Sequence, residues 1–412
     1  MDKNPNIKLP LEGLKVLELA THVAVPNTTR LLADWGAEVV KIEGLKGEEW
    51  RYMGVVLCTP ANDKENPIFT VSNANKKFVS LNLKEKTGKE ILKKLVAEAD
   101  VFVTNIRINA LEDMGLSYEE VKKINESIIY FYFSGYGMKG PDCDRPGYDS
   151  AAFWARTGAL VDWVDPNDLP IRVAGGFGDN ASATVAAAGI LAAVVGKQTS
   201  GKGTFLTSSL FGSAIWYHYI GITTSQPEIG YLNKYPQADV DKTTPFVDCY
   251  RCKDDEWILL TIIDYDSKWK LMCELLGMEE YIEDPRFSIR SNAIPHMVEL
   301  FGILRDKFRQ KTRQEWYDIF VANDVVCENL VHFKDVHHDE QAWANNYLEN
   351  VEFASGNIAA MPRTPIQFGE YEIGPQVPSK PVGSDTRSVL LNIGYTDSDI
   401  DDLNSANVIK AV

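Results

Sequence analysis

Five residues, Gly175-Gly176-Phe177-Gly178-Asp179, set three glycines and a carboxylate at the head of a small-residue apolar run, Ala181–Val195. Glycine lets a backbone approach a ligand closely and take φ values that other residues avoid. Asp179 and Asn180 stand where a helix N-cap is expected, just ahead of the apolar run. The positive end of that helix stabilises an ionised Asp179 and any anion that forms beside it. Two readings follow. Asp179 is an ordinary cap, or it is a working carboxylate on a glycine turn. The run itself is short for a membrane span and carries polar interruptions.

The composition narrows the choice. A chain of 412 residues predicts two domains, and 45% hydrophobic with 24% charged residues is ordinary for a soluble globular protein. A net charge of −16 argues against nucleic acid or an anionic membrane as partner. The N-terminus MDKNPNIKLP has no apolar core, so no secretory signal is read and a cytoplasmic location is expected. Six cysteines in this length make no disulfide framework. Cys249 and Cys252 form one C-x-x-C without a second pair, and His332, His337 and His338 fall in a charged loop-like stretch. Buried thiols fit better than zinc, and no metal site is predicted.

The elements that must hold the glycine turn come in βαβ order. A strand at 14–19 is followed by a helix at 27–35 and a strand at 38–42. Glu43 ends the second strand where a ribose-binding acid would sit, yet the first turn, THVAVPN, has no glycine for a dinucleotide pyrophosphate. Strands at 76–84, 100–104 and 128–134 follow, the last of the fully buried kind. Between them, 85–98 reads as a helix with Ile91, Leu92, Leu95 and Val96 on one stripe, and Ser117 with Glu120 forms a capping box. Loop 135–147 delivers Tyr148 and Asp149 to a helix start at 150–158. A turn and a strand lie at 201–210. Residues 225–245 mark a domain crossing, and a strand pair joined by Lys253–Asp255 opens an α+β texture with helices at 267–276, 292–310 and 312–323. The C-terminal 384–404 reads as one helix plus the start of another, with N-caps within Asp397–Asp402. The division expected is 1–224 (large domain), 225–340 (small α+β domain) and 341–412 (return to the large domain).

In this order, LEGLKVLELATHVAVPNTTRLLADWGAEVVKIE, KKFVSLNLK, VTNIRINALEDMGLSYE, RPGYDSAAFWARTGAL and GGFGDNASATVAAAGILAAVVGKQTSGKG resemble the class III CoA-transferases, the CaiB/BaiF family, over essentially the whole chain. The resemblance implies an α/β fold: a Rossmann-like large domain with a parallel sheet, a smaller α+β domain, and two subunits interlocked as a homodimer. It implies Asp179 as the nucleophile. It also implies CoA contacts at Val23 and Ala24, at Leu81, Asn82, Leu83 and Lys84, at Asn105, Ile106 and Arg107, and at Tyr148 in the Gly147–Asp149 turn. Coenzyme A enters as substrate, and no permanently bound cofactor is expected.

The chemistry of the residues agrees with this. A carboxylate attacks a thioester when the resulting anhydride is shielded from water, and N–H groups of Gly175–Gly178 are placed to hold the oxyanions. Transfer between two acids needs no ATP, and the chain has no GxxxxGK[ST] loop. Lys46, Arg51, Lys84 and Arg107 are the candidate partners of the CoA phosphates. The tetraglycine lid of formyl/oxalyl transferases is missing, and AFWARTG beside Tyr148 is closest to members that handle 2-hydroxy acids such as 2-hydroxyisocaproate or phenyllactate. Tyr148, Phe153 and Trp154 predict an apolar acyl pocket. Three rivals stand beside this reading. A 2-methylacyl-CoA racemase needs a histidine where Tyr148 stands. A nicotinamide dehydrogenase built on Gly176-x-Gly178 lacks the acid after the next strand. A CoA-binding protein without catalysis leaves the intact Asp179 turn unexplained.

Overall fold

A computed structural model of the chain describes residues 9–231 and 233–412. The described residues divide into two compact units, one of 9–158, 173–219 and 340–412, the other of 159–172, 220–231 and 233–339. Residues 159–172, expected within the large domain, therefore belong with the smaller unit. They close on themselves through the Ile171 N–H to the Leu160 carbonyl at 2.9 Å.

The larger unit is built on β1 (Lys15–Leu19), β2 (Glu38–Glu43), β3 (Lys77–Leu81), β4 (Val101–Thr104), β5 (Ile129–Ser134) and β6 (Thr204–Ser209). These pair in parallel in the order β3-β2-β1-β4-β5-β6. This is the doubly wound order, whose chain reversal at β1 and β4 opens a crevice at the carboxyl ends of the strands. The C-terminal Ile409–Lys410, where no strand was expected, adds antiparallel to β3.

Helices α1 (Ala24–Asp34), α2 (Pro67–Asn73), α3 (Lys86–Glu98), α4 (Ile108–Met114) and α5 (Tyr118–Ile124) cover or edge the sheet. The α3 stripe is buried as its period requires, with Ile91, Leu92, Leu95 and Val96 joining Leu17, Val79 and Phe102 in the core. Three local expectations shift. Helix α1 begins at Ala24 and not at Asn27, because Pro26 is tolerated in a first turn. Ser117 caps α5 by position, but its hydroxyl makes no cap hydrogen bond. The segment Asp149–Trp154 forms a π turn and Ala155–Thr157 a 3₁₀ turn in place of a regular helix.

The smaller unit carries an antiparallel sheet of β7 (Val247–Arg251), β8 (Trp257–Thr261) and β9 (Cys327–Asn329). Helices Tyr265–Leu276, Met297–Phe308 and Arg313–Ala322 pack Trp269, Phe301, Phe308, Trp316 and Phe320 into its core. Cys252 is fully buried, and burial pushes its thiol up to about 11.

Candidate active site

The central helix runs from Phe177 to Ser200, and Gly176 is its N-cap at φ +84°. Asp179 is thus the third helical residue and not the cap. The shift has a tertiary cause. Asp149, at the start of the π turn, accepts the N–H of Gly176 at 2.8 Å and that of Gly178 at 3.1 Å. A carboxylate from 27 or more residues upstream takes the capping role that the sequence assigned to Asp179. The approach is close: a Cβ on Gly178 would lie 2.3 Å from Asp149 Oδ1 and 2.4 Å from Phe153 Cγ. Two of the N–H donors expected for an oxyanion are therefore engaged. Among the described residues, the first-turn N–H groups of Phe177 and Asp179 have no acceptor.

Burial, reinforced by the Asp149 carboxylate, pushes Asp179 up to about 7. Burial also raises Asp149, against the pull of the Gly176 and Gly178 N–H groups. The two carboxylates face one turn, and the one without hydrogen-bond donors to its oxygens is the more basic.

Asp179 lines a cavity of about 460 Å³ at the carboxyl ends of β1, β4 and β5. Of the residues implied as CoA contacts, Ala24, Asn105, Ile106, Arg107 and Tyr148 line the same cavity. Val23 does not line it. It is buried, its Cγ1 3.8 Å from the position a Cβ on Gly176 would occupy. Leu81, Asn82, Leu83 and Lys84 also lie outside that lining, at the end of β3. Leu81 and Leu83 pack in the core, Asn82 donates its N–H to the Val408 carbonyl, and Lys84 is exposed. Asn105 clamps the turn after β1, accepting the Thr21 N–H at 3.0 Å and donating to the Thr21 carbonyl at 2.8 Å.

The phosphate candidates separate sharply. Arg51 is buried and held by both oxygens of Glu43, Nε to Oε1 at 2.7 Å and Nη2 to Oε2 at 2.6 Å. It serves the interior, stacked 4.0 Å from the Phe69 ring centroid. Arg107, Lys84 and Lys46 are exposed. Arg107 at the cavity makes no ion pair among the described residues. Phe153 and Trp154, expected to line an acyl pocket, are buried beneath the site at 0% and 6% exposure, whereas Tyr148 is 63% exposed at the cavity.

Reasoning from the sequence passed over two features. His22 lines the cavity in a left-handed conformation, φ +65°. Beneath it lies a chain of buried charges. Lys41 pairs with Glu18 at 2.6 Å and Glu48 at 2.7 Å, and Lys76 pairs with Glu18 at 2.8 Å. Burial pushes the Glu18 carboxyl up, but Lys41 and Lys76 together overcome it and hold it down at about 2. Burial pulls Lys76 down to about 7 in spite of Glu18, and the Lys41 charge adds to the fall. A signal for His22 was present in the glycine-free turn THVAVPN. None existed for the charge chain, since a lone Lys or Glu in a strand reads as a solvent-facing residue.

A profile for CoA-transferase family III matches residues 11–386. The chain belongs to this family. Among curated relatives, the (R)-2-hydroxy-4-methylpentanoate CoA-transferase of Clostridioides difficile is 38% identical, over 97% of this chain and 99% of that protein. The cinnamoyl-CoA:phenyllactate CoA-transferase of Clostridium sporogenes is 35% identical, over 98% and 97%. Among solved structures, a CaiB/BaiF family protein from Brucella suis superposes with a TM-score of 0.80 at 23% identity, over 94% of this chain and 100% of that one. At that identity the likeness establishes the fold, a family III architecture with a large, mostly parallel sheet.

Proposed function

We propose that this CoA-transferase moves CoA from an acyl-CoA donor to a monocarboxylic 2-hydroxy acid, with Asp179 as nucleophile. The observation that carries the reading is Asp179 itself. It is a carboxylate of raised basicity, lining the cavity at the strand reversal together with Asn105–Arg107. When ionised it attacks the thioester carbonyl, the C–S bond breaks, and CoA thiolate leaves a mixed aspartyl anhydride. The thiolate then attacks the Asp179 carbonyl and releases the donor carboxylate, giving an aspartyl-CoA thioester. The acceptor carboxylate displaces the thiolate to form a second anhydride. Attack of the thiolate on its acyl carbon yields the new acyl-CoA and restores Asp179. Among the described residues, the N–H groups of Gly175, Phe177 and Asp179 are free to serve as oxyanion donors, since those of Gly176 and Gly178 hold Asp149.

The substrate class rests on the two relatives named for 2-hydroxy acids and on the half-apolar surroundings of Tyr148, His22 and Trp50, whose rings pack edge to face. Of the candidate partners for the CoA phosphates, Arg107, Lys84 and Lys46 remain exposed, and a reaction between two dissolved acids suits the expected cytoplasmic location. Incubation with acyl-CoA, trapping with hydroxylamine and intact-mass analysis tests the nucleophile. Modification mapping to Asp179 supports it, and modification elsewhere overturns it.

The partner in this reading is a second copy of the chain, interlocked with the first. Strand β6 is the open edge of the sheet with Phe205 at its surface, and Trp216 and Tyr219 just beyond it are 72% and 61% exposed. The central helix is long and apolar enough by composition to cross a membrane, yet its buried side is Ser182, Ala183, Ala186, Ala187 and Ile190 within this fold. Its remaining apolar residues, with β6, form a surface suited to a protein partner. Light scattering decides: a dimer mass that resists dilution is expected, and a species near 46 kDa counts against it.

A further inference from the structure

His22 is the residue in the cavity whose placement has the most structure behind it and no role in the chemistry above. Its backbone sits at φ +65°, a conformation that a β-substituted residue adopts only when its surroundings hold it there. Three contacts do so. Glu48 Oε2 accepts the His22 N–H at 2.7 Å, and Glu48 is anchored on the fully buried Lys41. Asn105 clamps the preceding Thr21 on both sides. The ring is packed edge to face between Trp50 (centroids 6.2 Å apart) and Tyr148 (5.6 Å). With all this investment in orientation, the ring nitrogens have no hydrogen-bond partner among the described residues.

Asn105–Asn109 and Arg145 line the cavity together with His22 and Asp179, with Arg107 exposed. Beside Asp179, the turn after β1 meets the nucleophile's own turn. Val23 touches the space beside Gly176, and Tyr148 packs on His22 one residue before the Asp149 that caps the Asp179 helix. An acyl group bonded to Asp179 would meet the His22 turn through these contacts. Of the polar side chains there, Asp179 is consumed by the reaction and Asp149 by the glycine N–H groups, which leaves the His22 imidazole and the Tyr148 hydroxyl. A 2-hydroxyl, one bond from the reacting carbonyl, is both donor and acceptor, and an imidazole matches it with one of each.

We infer that His22 is the specificity-determining residue that hydrogen-bonds the 2-hydroxyl of the acyl group, distinguishing 2-hydroxy acids from their deoxy analogues. This rests on the substrate class proposed above. A site built to bond a substrate hydroxyl loses preference when its partner is removed, because a single neutral hydrogen bond carries up to about tenfold in selectivity.

The test compares (R)-2-hydroxy-4-methylpentanoate with 4-methylpentanoate as acceptors, with 4-methylpent-2-enoyl-CoA as fixed donor, for the wild type, His22→Gly and His22→Asn. Glycine and asparagine both tolerate φ near +65°, so the turn keeps its shape. Expected is a wild-type preference in kcat/KM for the hydroxy acid, a fall in that preference of about tenfold in His22→Gly, and partial recovery in His22→Asn. An unchanged preference in His22→Gly, or an equal loss for both acceptors, overturns the assignment. A wild type that shows no preference for the hydroxy acid overturns the substrate class as well, and the two failures are told apart by which protein shows them.

Discussion

The two units are stabilised in opposite ways. In the larger unit, Glu18, Lys41, Glu43, Glu48, Arg51 and Lys76 are buried beneath the site. In the smaller unit, no charged side chain among the described residues is buried, and its core is aromatic and aliphatic. Burying charge is costly unless every charge is paired, and replacing paired charges by apolar groups is often neutral or stabilising. The larger unit accepts that cost where a loop must be held at a definite geometry: Glu48 at the end of the charge chain fixes the His22 turn. The smaller unit follows the simpler rule of apolar burial.

The comparison breaks first at its chemical end. Asp179→Ala is expected to lower transfer by at least about 10³-fold, with fold and CoA binding retained, because Asp149 and not Asp179 caps the helix and the Asp179 carboxyl accepts no hydrogen bond among the described residues. Residual transfer above a few per cent would place the nucleophile elsewhere.

Stability separates the units next. Lys41→Met leaves Glu18 and Glu48 buried without their shared partner, and about 3–5 kcal/mol is expected to be lost in denaturant unfolding. Trp316→Ala in the smaller unit is expected to lose about 3–5 kcal/mol by cavity formation. The two differ in pH response. Without Lys41 the folded state binds protons more tightly than the unfolded chain, so acidification eases the Lys41→Met defect, while the Trp316→Ala defect stays level. Equal pH response in both variants would contradict the buried-charge account.

The Asp179 carboxyl offers a finer probe. Its folded value of about 7 lies above the unfolded one, so ionisation costs stability. That cost is absent below about pH 4, grows between pH 4 and 7, and is complete above 7. Asp179→Asn is therefore expected to melt higher than the wild type at pH 8, with the gap closing toward pH 4.

The smallest effect expected is kinetic. The wild-type kcat/KM is expected to fall below about pH 7 as Asp179 protonates. Asp149→Asn removes the second cause of its raised value, and is expected to move that limb about one pH unit toward acid. A limb that stays in place would show that burial alone sets the nucleophile.

What the sequence by itself determined is what depends on near neighbours in the chain. Alternating βαβ segments, the apolar stripe of α3 and the glycine turn before Asp179 were legible because period and local conformational freedom are written within a dozen residues. The family pattern, spread over five segments in order, carried the reading from fold to CoA transfer. The tertiary structure decided whatever depends on partners far apart. Asp149 takes the cap from Asp179, Glu43 withdraws Arg51 from any phosphate, and Lys76 reaches Glu18 across 58 positions. Phe153 and Trp154 go beneath the site, and His22 comes to face it. A charged or aromatic residue reads alike in sequence whether it faces water, a ligand or a buried counter-charge. Only the fold brings the counter-charge within hydrogen-bond distance, and that pairing alone makes its burial bearable.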